Sequence, residues 1–351
     1  MKSKNSPVSI LVEIIHRYFI GWIIGSYVVA ALLPGFGLWI RKANLGGLPV
    51  FRNRLDLSLP LLMLASLLFN AGLGVKMGEL IQLRRKPLLM MGGLLGNLVV
   101  PLAFIVTLSV AMGLWHNPEE VQQILMGLAL VASMPIAGAS TAWAQNANGN
   151  LALSLGLVLF TTVLSPLLTP LVLHAVGFVT TGDYSEDLHE LASDGVAGFL
   201  GAWVVAPAFL GILTNRIVGE QGMEAVKPYL KLLNYTVLIL LNYSNASLTL
   251  PKVVLQPDMD FLAVMLVIVL ALCVTAFSSG YVLARILETD RRAMAALMFG
   301  LGMNNNGTGL VLASMALADH PEVLLPIIFY NLVQHLVASS VDATLFRRQA
   351  A

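Results

Sequence analysis

Amide and hydroxyl side chains gather at two points in the sequence, and at each they stand beside residues that interrupt a helix. The first point is Met134-Pro135-Ile136-Ala137-Gly138, followed by Ser140, Thr141, Gln145, Asn146, Asn148 and Ser154. The second runs from Gly300 to Gly309 and contains Leu301, Met303, Asn304, Asn305, Asn306 and Thr308. Pro135 lacks a backbone donor and clashes with the preceding turn, and each glycine costs a helix about 1 kcal/mol against alanine. Both runs are therefore expected to unwind. Neutral oxygens of amides, hydroxyls and freed carbonyls suit a small hard cation. The helix that resumes after each break offers free N–H groups and partial positive charge to an anion. One crossing point, lined by Gly138, Asn305, Asn306 and Thr308, is thus equipped to hold a cation and an anionic solute together. Singly, any of these residues serves equally well to hydrogen-bond a neighbouring helix.

The elements that carry the two runs are apolar. Of 351 residues, 57% are hydrophobic and 11% charged, roughly half the charged share of a soluble domain, about 25%. Ten apolar segments follow one another, at approximately 18–40, 56–75, 87–115, 121–145, 151–179, 195–215, 228–250, 261–287, 292–318 and 322–346. Most reach the length of about 20 residues that spans a bilayer as a helix. They lack the period-two alternation of a membrane barrel. The expected fold class is an all-α integral membrane protein of ten transmembrane helices. Fifteen of the twenty Lys and Arg residues fall on the side that carries both termini, against Arg41, Lys42, Arg52, Arg54 and Lys252 opposite. Both termini are accordingly expected in the cytoplasm, with the chain in a bacterial inner membrane. The formal net charge of +1 gives nucleic acid no concentrated basic surface. The single cysteine, Cys273, lies inside an apolar run, which leaves no disulfide framework and no cysteine metal site. No organic cofactor and no transition metal is expected, and no oligomeric state follows.

An acidic connection at 180–194 divides the segments into a first set of five, residues 18–179, and a second set of five, residues 195–346. Residues 1–17 form an N-terminal segment whose Ile10, Leu11, Ile14 and Ile15 stripe fits a helix lying on the membrane surface, and residues 347–351 form a short tail. Five is odd, so the two sets are expected to be inverted relative to each other. The fourth segment of each set is the interrupted one, and paired interruptions of this kind mark a transport site. Asn234, Asn242 and Asn245 share one helical face in the seventh segment and are candidates to line a solute path. His174 and His335 read as hydrogen-bonded core histidines. Asp342 is the one carboxylate inside an expected span; it suits either pairing with Arg347 and Arg348 near the interface or proton coupling. No converging acid, base and nucleophile suggests an enzyme.

The run from Pro135 to Pro170 resembles the bile acid:sodium symporter family. The resemblance rests on Gly138-Ala139-Ser140, on Gly149-Asn150-Leu151-Ala152-Leu153-Ser154, and on Thr162 through Pro170. Gly302-Met303-Asn304-Asn305-Asn306-Gly307 resembles that family's Gly-Met-Gln-Asn-Ser-Gly, and Gly72-Leu73 with Lys76, and His335, add support. The resemblance implies a ten-helix inverted repeat, with broken fourth and ninth helices crossing. Its core is helices three, four, five, eight, nine and ten, and its panel is helices one, two, six and seven. It implies secondary transport of small organic anions by alternating access, with Na+ as the coupling ion. By the same resemblance one sodium site matches at Ser140 and Ser154 and departs at Thr141 and Val158. The other uses the Asn304 side chain and the backbone at Leu301 and Met303, with Gly96 or its neighbour Asn97 standing where the family has glutamine. The shared glutamate is replaced by Gly300. This last departure implies sodium coupling that is weakened, altered in stoichiometry or absent, and leaves a uniporter, an exchanger or a proton-coupled carrier as alternatives.

Overall fold

The computed structural model describes residues 7–50, 53–75, 78 and 87–347. Lys2, Lys4, Lys76, Arg84, Arg85, Lys86 and Arg348, all used in the charge count above, lie outside the described residues. The described residues are mostly helical, and the chain divides into two compact units, Met1–Val75 with Ala202–Pro257 and Lys76–Gly201 with Asp258–Ala351.

The first unit begins with α1 (Pro7–Arg17) and continues through α2 (Phe19–Leu32) and α3 (Gly35–Lys42). The first apolar segment is therefore not one helix. Pro34 cannot donate to the turn before it, and α2 ends at Leu33 with φ −132° and ψ 64°. A β-hairpin, β1 (Asn44–Val50) and β2 (Asn53–Ser58), follows and is the one departure among the described residues from the expected all-α fold. α4 (Leu59–Leu73) then packs against the long helix from the second half of the chain.

The second unit holds the interrupted segments. α5 (Pro87–Ala111) leads through a short 3₁₀ turn to α6 (Pro118–Ser133), whose start is capped by the Asn117 side chain. Helix resumes at α7 (Ala139–Asn146), and α8 (Leu151–Gly177) is capped by Asn150. The acidic connection is itself a helix, α9 (Asp183–Asp194), with Tyr184, Leu188, Leu191 and Ala192 buried, and α10 (Val196–Leu200) passes into a π-helical turn at Gly201–Val205.

Back in the first unit, α11 (Ala206–Ala246) holds the end of the sixth segment and most of the seventh, with a break between them at Gly219, where φ is 74° and ψ 168°. A β-branched or bulky residue would be strained at that angle. α12 (Leu250–Leu255) closes the unit. The second unit is completed by α13 (Met259–Ile286), α14 (Arg291–Gly302), α15 (Asn306–Ala316) and α16 (Leu324–Val341), with a π-helical turn at Asp342–Arg347. Among the described residues five helices are long and apolar enough to cross a membrane, at Pro87–Leu114, Leu151–Gly177, Val196–Gly219, Met259–Ile286 and Pro321–Phe346. The protein is thus an integral membrane protein of helical class.

Candidate functional site

α6 stops at Ser133 because Pro135 cannot continue it, and α14 stops at Gly302. The two unwound segments meet. Ile136 and Asn304 form an antiparallel bridge, Ala137 N–H donates to Met303 O at 2.9 Å, and Asn305 N–H donates to Pro135 O at 2.9 Å. Remaining backbone groups find side chains. Ile136 N–H donates to Thr161 Oγ1 at 3.1 Å, Asn304 N–H to Gln334 Oε1 at 3.1 Å, and Thr169 Oγ1 donates to Ser133 O at 2.6 Å. Non-helical backbone at membrane depth persists only when its polar groups are satisfied in this way.

The second break is narrower than the sequence suggests. Gly300 and Leu301 remain helical, and Asn306 already opens α15, so only Met303–Asn305 is unwound. Asn305 caps α15 by accepting from Thr308 N–H at 3.3 Å. The helix starting at Ala139 has no side-chain cap, and a Cβ on its exposed preceding residue, Gly138, would meet open space.

Several polar atoms around the crossing are buried with no hydrogen-bond partner among the described residues. They are Ser140 Oγ, Asn97 Oδ1, Asn304 Oδ1, both amide atoms of Asn306, and Thr308 Oγ1. Ser154 Oγ donates to Thr141 Oγ1 at 3.1 Å, which brings two of the sequence candidates together beside Ser140. An orphaned buried oxygen is costly unless something occupies it. The donors here are neutral and hard, and Ser140, Thr141 and Ser154 form a set that fits a small monovalent cation.

The other candidates lie elsewhere. A Cβ on Gly300 would touch only Leu157 Cδ1 at 3.5 Å and Ile136 Cδ1 at 3.8 Å, and one on Gly96 would press on Leu301 Cδ2 at 2.7 Å. Leu301 belongs to a buried apolar cluster with Leu153, Leu157 and Leu297, against which Val158 also packs. The side chains at that corner are carbon, so any oxygen offered there comes from the backbone. Asn242 and Asn245 lie in the first unit, both buried. There Arg41 donates to Asn245 Oδ1 at 2.6 Å, and burial pushes the guanidinium pKa down to about 10. His335 is buried and accepts from Trp143 Nε1–H at 3.4 Å, as a core histidine would, whereas His174 is half-buried, its Nδ1 hydrogen-bonded to that of His189 at 2.8 Å. Asp342 is buried, at 1% exposure; the Arg347 side chain and Arg348, its expected partners, lie outside the described residues. Arg291 donates to the carbonyls of Leu345 and Phe346 in the same turn as Asp342.

Thr161, Thr169 and Gln334 were not singled out from the sequence. Ser154, Thr161, Ser165 and Thr169 are spaced by seven, four and four residues and all are buried, a hydroxyl stripe on α8. That spacing was the available signal.

A helical membrane protein whose two interrupted segments pair through unwound backbone is built as a transporter. The chain belongs to the sodium bile acid symporter family, whose model matches residues 61–256. It is 26% identical over 219 residues to the uncharacterized protein YbaS of Bacillus subtilis (strain 168), covering 61% of this chain and 66%, just under two thirds, of that protein. It is 23% identical over 293 residues to the uncharacterized sodium-dependent transporter YocS of the same strain, covering 82% of each.

Proposed function

We propose that the protein is a secondary carrier of small organic anions, working by alternating access in a ten-helix inverted repeat, with sodium coupling weaker than its family resemblance implies. The observation that supports the reading is the antiparallel bridge between Ile136 and Asn304, surrounded by buried oxygens without partners. The start of α7 after Gly138 has no side-chain cap and turns partial positive charge toward an anionic group, although the Ser140 and Thr141 N–H groups already donate to the Ala137 and Gly138 carbonyls. Division of the described helices into two compact units supports a carrier in which one body moves as a whole.

Na+ would be held by Ser140, Thr141 and Ser154, where it would supply charge to draw an anion to the crossing. Within 4 Å of a Cβ at Gly300 the described residues place only Leu157 and Ile136, and a glycine there supplies no carboxylate to offset the repulsion between two cations at short range. The reading is therefore of one neutral, weak cation site rather than a charged pair. Uptake of labelled organic anions into proteoliposomes, with and without a sodium gradient, tests it. Saturable counterflow with a shallow sodium dependence is expected; a steep, cooperative dependence would overturn the sodium part, and uptake that never saturates would overturn the carrier.

A proton-coupled carrier is the second reading, supported by the burial of Asp342. It predicts that Asp342→Asn expresses normally yet loses transport driven by a pH gradient.

A further inference from the structure

On a face of the second unit away from the crossing, α13, α14, α16 and the turn after α16 enclose a groove of about 410 Å³, within the roughly 300–1,000 Å³ of ligand sites. Its walls are Val274, Phe277, Met298, Val341 and Leu345, and its hydroxyl-bearing residues are Ser278 and Tyr281. Val274 and Leu345 are part-exposed at 47% and 39%, so the groove opens on the apolar outer face of a span. One of its ends is cationic. Val274, Ser278, Tyr281 and Arg285 recur along α13 at intervals of four, three and four residues, so Arg285 lies on the groove face in the helix's last turn. Only Leu287–Asp290 separates α13 from α14, whose first residue, Arg291, binds the carbonyls of Leu345 and Phe346 with its guanidinium 5.6 Å from the centre of the Phe346 ring. Glu288 and Asp290 are in the same connection, and the Asp290 carboxylate is occupied in accepting from Ala293 N–H at 2.7 Å.

We infer that this groove binds one anionic phospholipid of the surrounding membrane, an acyl chain lying along Val274, Phe277 and Val341 and the phosphate at Arg285. An apolar channel continuous with the bilayer and ending at arginine is complementary to a single lipid and to no soluble anion. The site also touches the transport machinery. The Phe277 ring fills the space that a side chain on Gly302 would need, one residue before the second break. A chain packed on the outer side of Phe277 would hold that ring, and with it the last turn of α14, in place.

The test is native mass spectrometry of the detergent-purified protein titrated with dioleoyl phosphatidylglycerol or dioleoyl phosphatidylcholine. One tightly retained phosphatidylglycerol per chain is expected, with Arg285→Gln, an exposed position that leaves the fold intact, weakening it about fivefold. Val341→Trp, which fills the groove, is expected to abolish retention. Thermal unfolding of both variants checks folding, and if Val341→Trp misfolds the Arg285→Gln titration alone decides. Equal retention of the two lipids, or retention unchanged in Arg285→Gln, would mean ordinary annular lipid and would overturn the inference.

Discussion

At the scale of single residues, Asn304 concentrates the most structural work at the crossing. Its Nδ2 donates to Val131 O at 2.8 Å, its N–H donates to Gln334 Oε1, and its Oδ1 is buried with no partner. Asn304→Ala leaves the Val131 carbonyl without that donor, so thermal unfolding should show a loss of about 1–3 kcal/mol. An unchanged unfolding temperature would show that the amide contributes nothing to holding the two breaks together. Gly300 poses a different question. A Cβ there meets only ordinary van der Waals contacts, and alanine is the better helix former by about 1 kcal/mol. Gly300→Ala should therefore fold at least as well as the natural chain. Gly300→Glu places a charge among Leu157 and Ile136 and should destabilise by roughly 3–5 kcal/mol; stability equal to the alanine variant would mean that polar atoms reach this corner. The difference between these two residues also explains what the sequence could reveal. Asn304 is conspicuous because an amide amid apolar residues needs a partner, whereas the carbon surroundings of Gly300 come from Leu157 and Ile136, over 140 residues away in sequence.

At the scale of elements, Pro135 marks the first break because it stands beside Gly138 in a run of amide and hydroxyl residues, whereas Pro101, Pro166 and Pro170 remain inside α5 and α8. The second break is harder to delimit from its glycines, since Gly300 and Gly302 stay within α14 once the helix packs against neighbours. The β-hairpin after α3 carried no alternation strong enough to distinguish it from a loop, and Pro34 divides a segment whose hydropathy is continuous. Glycine also allows close helix contact, which sequence alone cannot pair. Side chains on Gly72 of α4 and Gly211 of α11 would overlap the backbone of the facing helix, at the Ala208 carbonyl and the Phe69 carbonyl respectively. Backbone cannot give way as a flexible side chain does. Gly72→Val should accordingly cost at least the roughly 1–3 kcal/mol of ordinary overpacking, read as a lower unfolding temperature in detergent. Gly25→Ala in α2, where a Cβ meets nothing within 4 Å, is the control and should fold normally. Equal behaviour of the two variants would show that α4 and α11 do not depend on close approach.

At the scale of the whole molecule, the inverted repeat makes a claim about sides of the membrane that packing cannot supply. On the proposed arrangement five spans in each half would put the connection at α9 opposite both termini, and the excess of Lys and Arg would put the termini in the cytoplasm. The chain offers a clean background for testing this, because its single cysteine, Cys273, is free and fully buried. A membrane-impermeant maleimide applied to whole cells should label Glu186→Cys, in α9, and should spare Gln349→Cys until the membrane is permeabilised. Labelling of both from outside would give the second half, and any repeat of it, an even number of crossings. The halves would then be parallel, and the pairing of Ile136 with Asn304 could no longer arise from two inverted copies of one broken segment. Glu186→Cys spared and Gln349→Cys labelled would preserve the repeat and reverse only the orientation. The two failures are therefore distinguishable. Only the first would remove the symmetry on which alternating access in this chain is argued, because that argument needs two inverted halves and is indifferent to which side each faces.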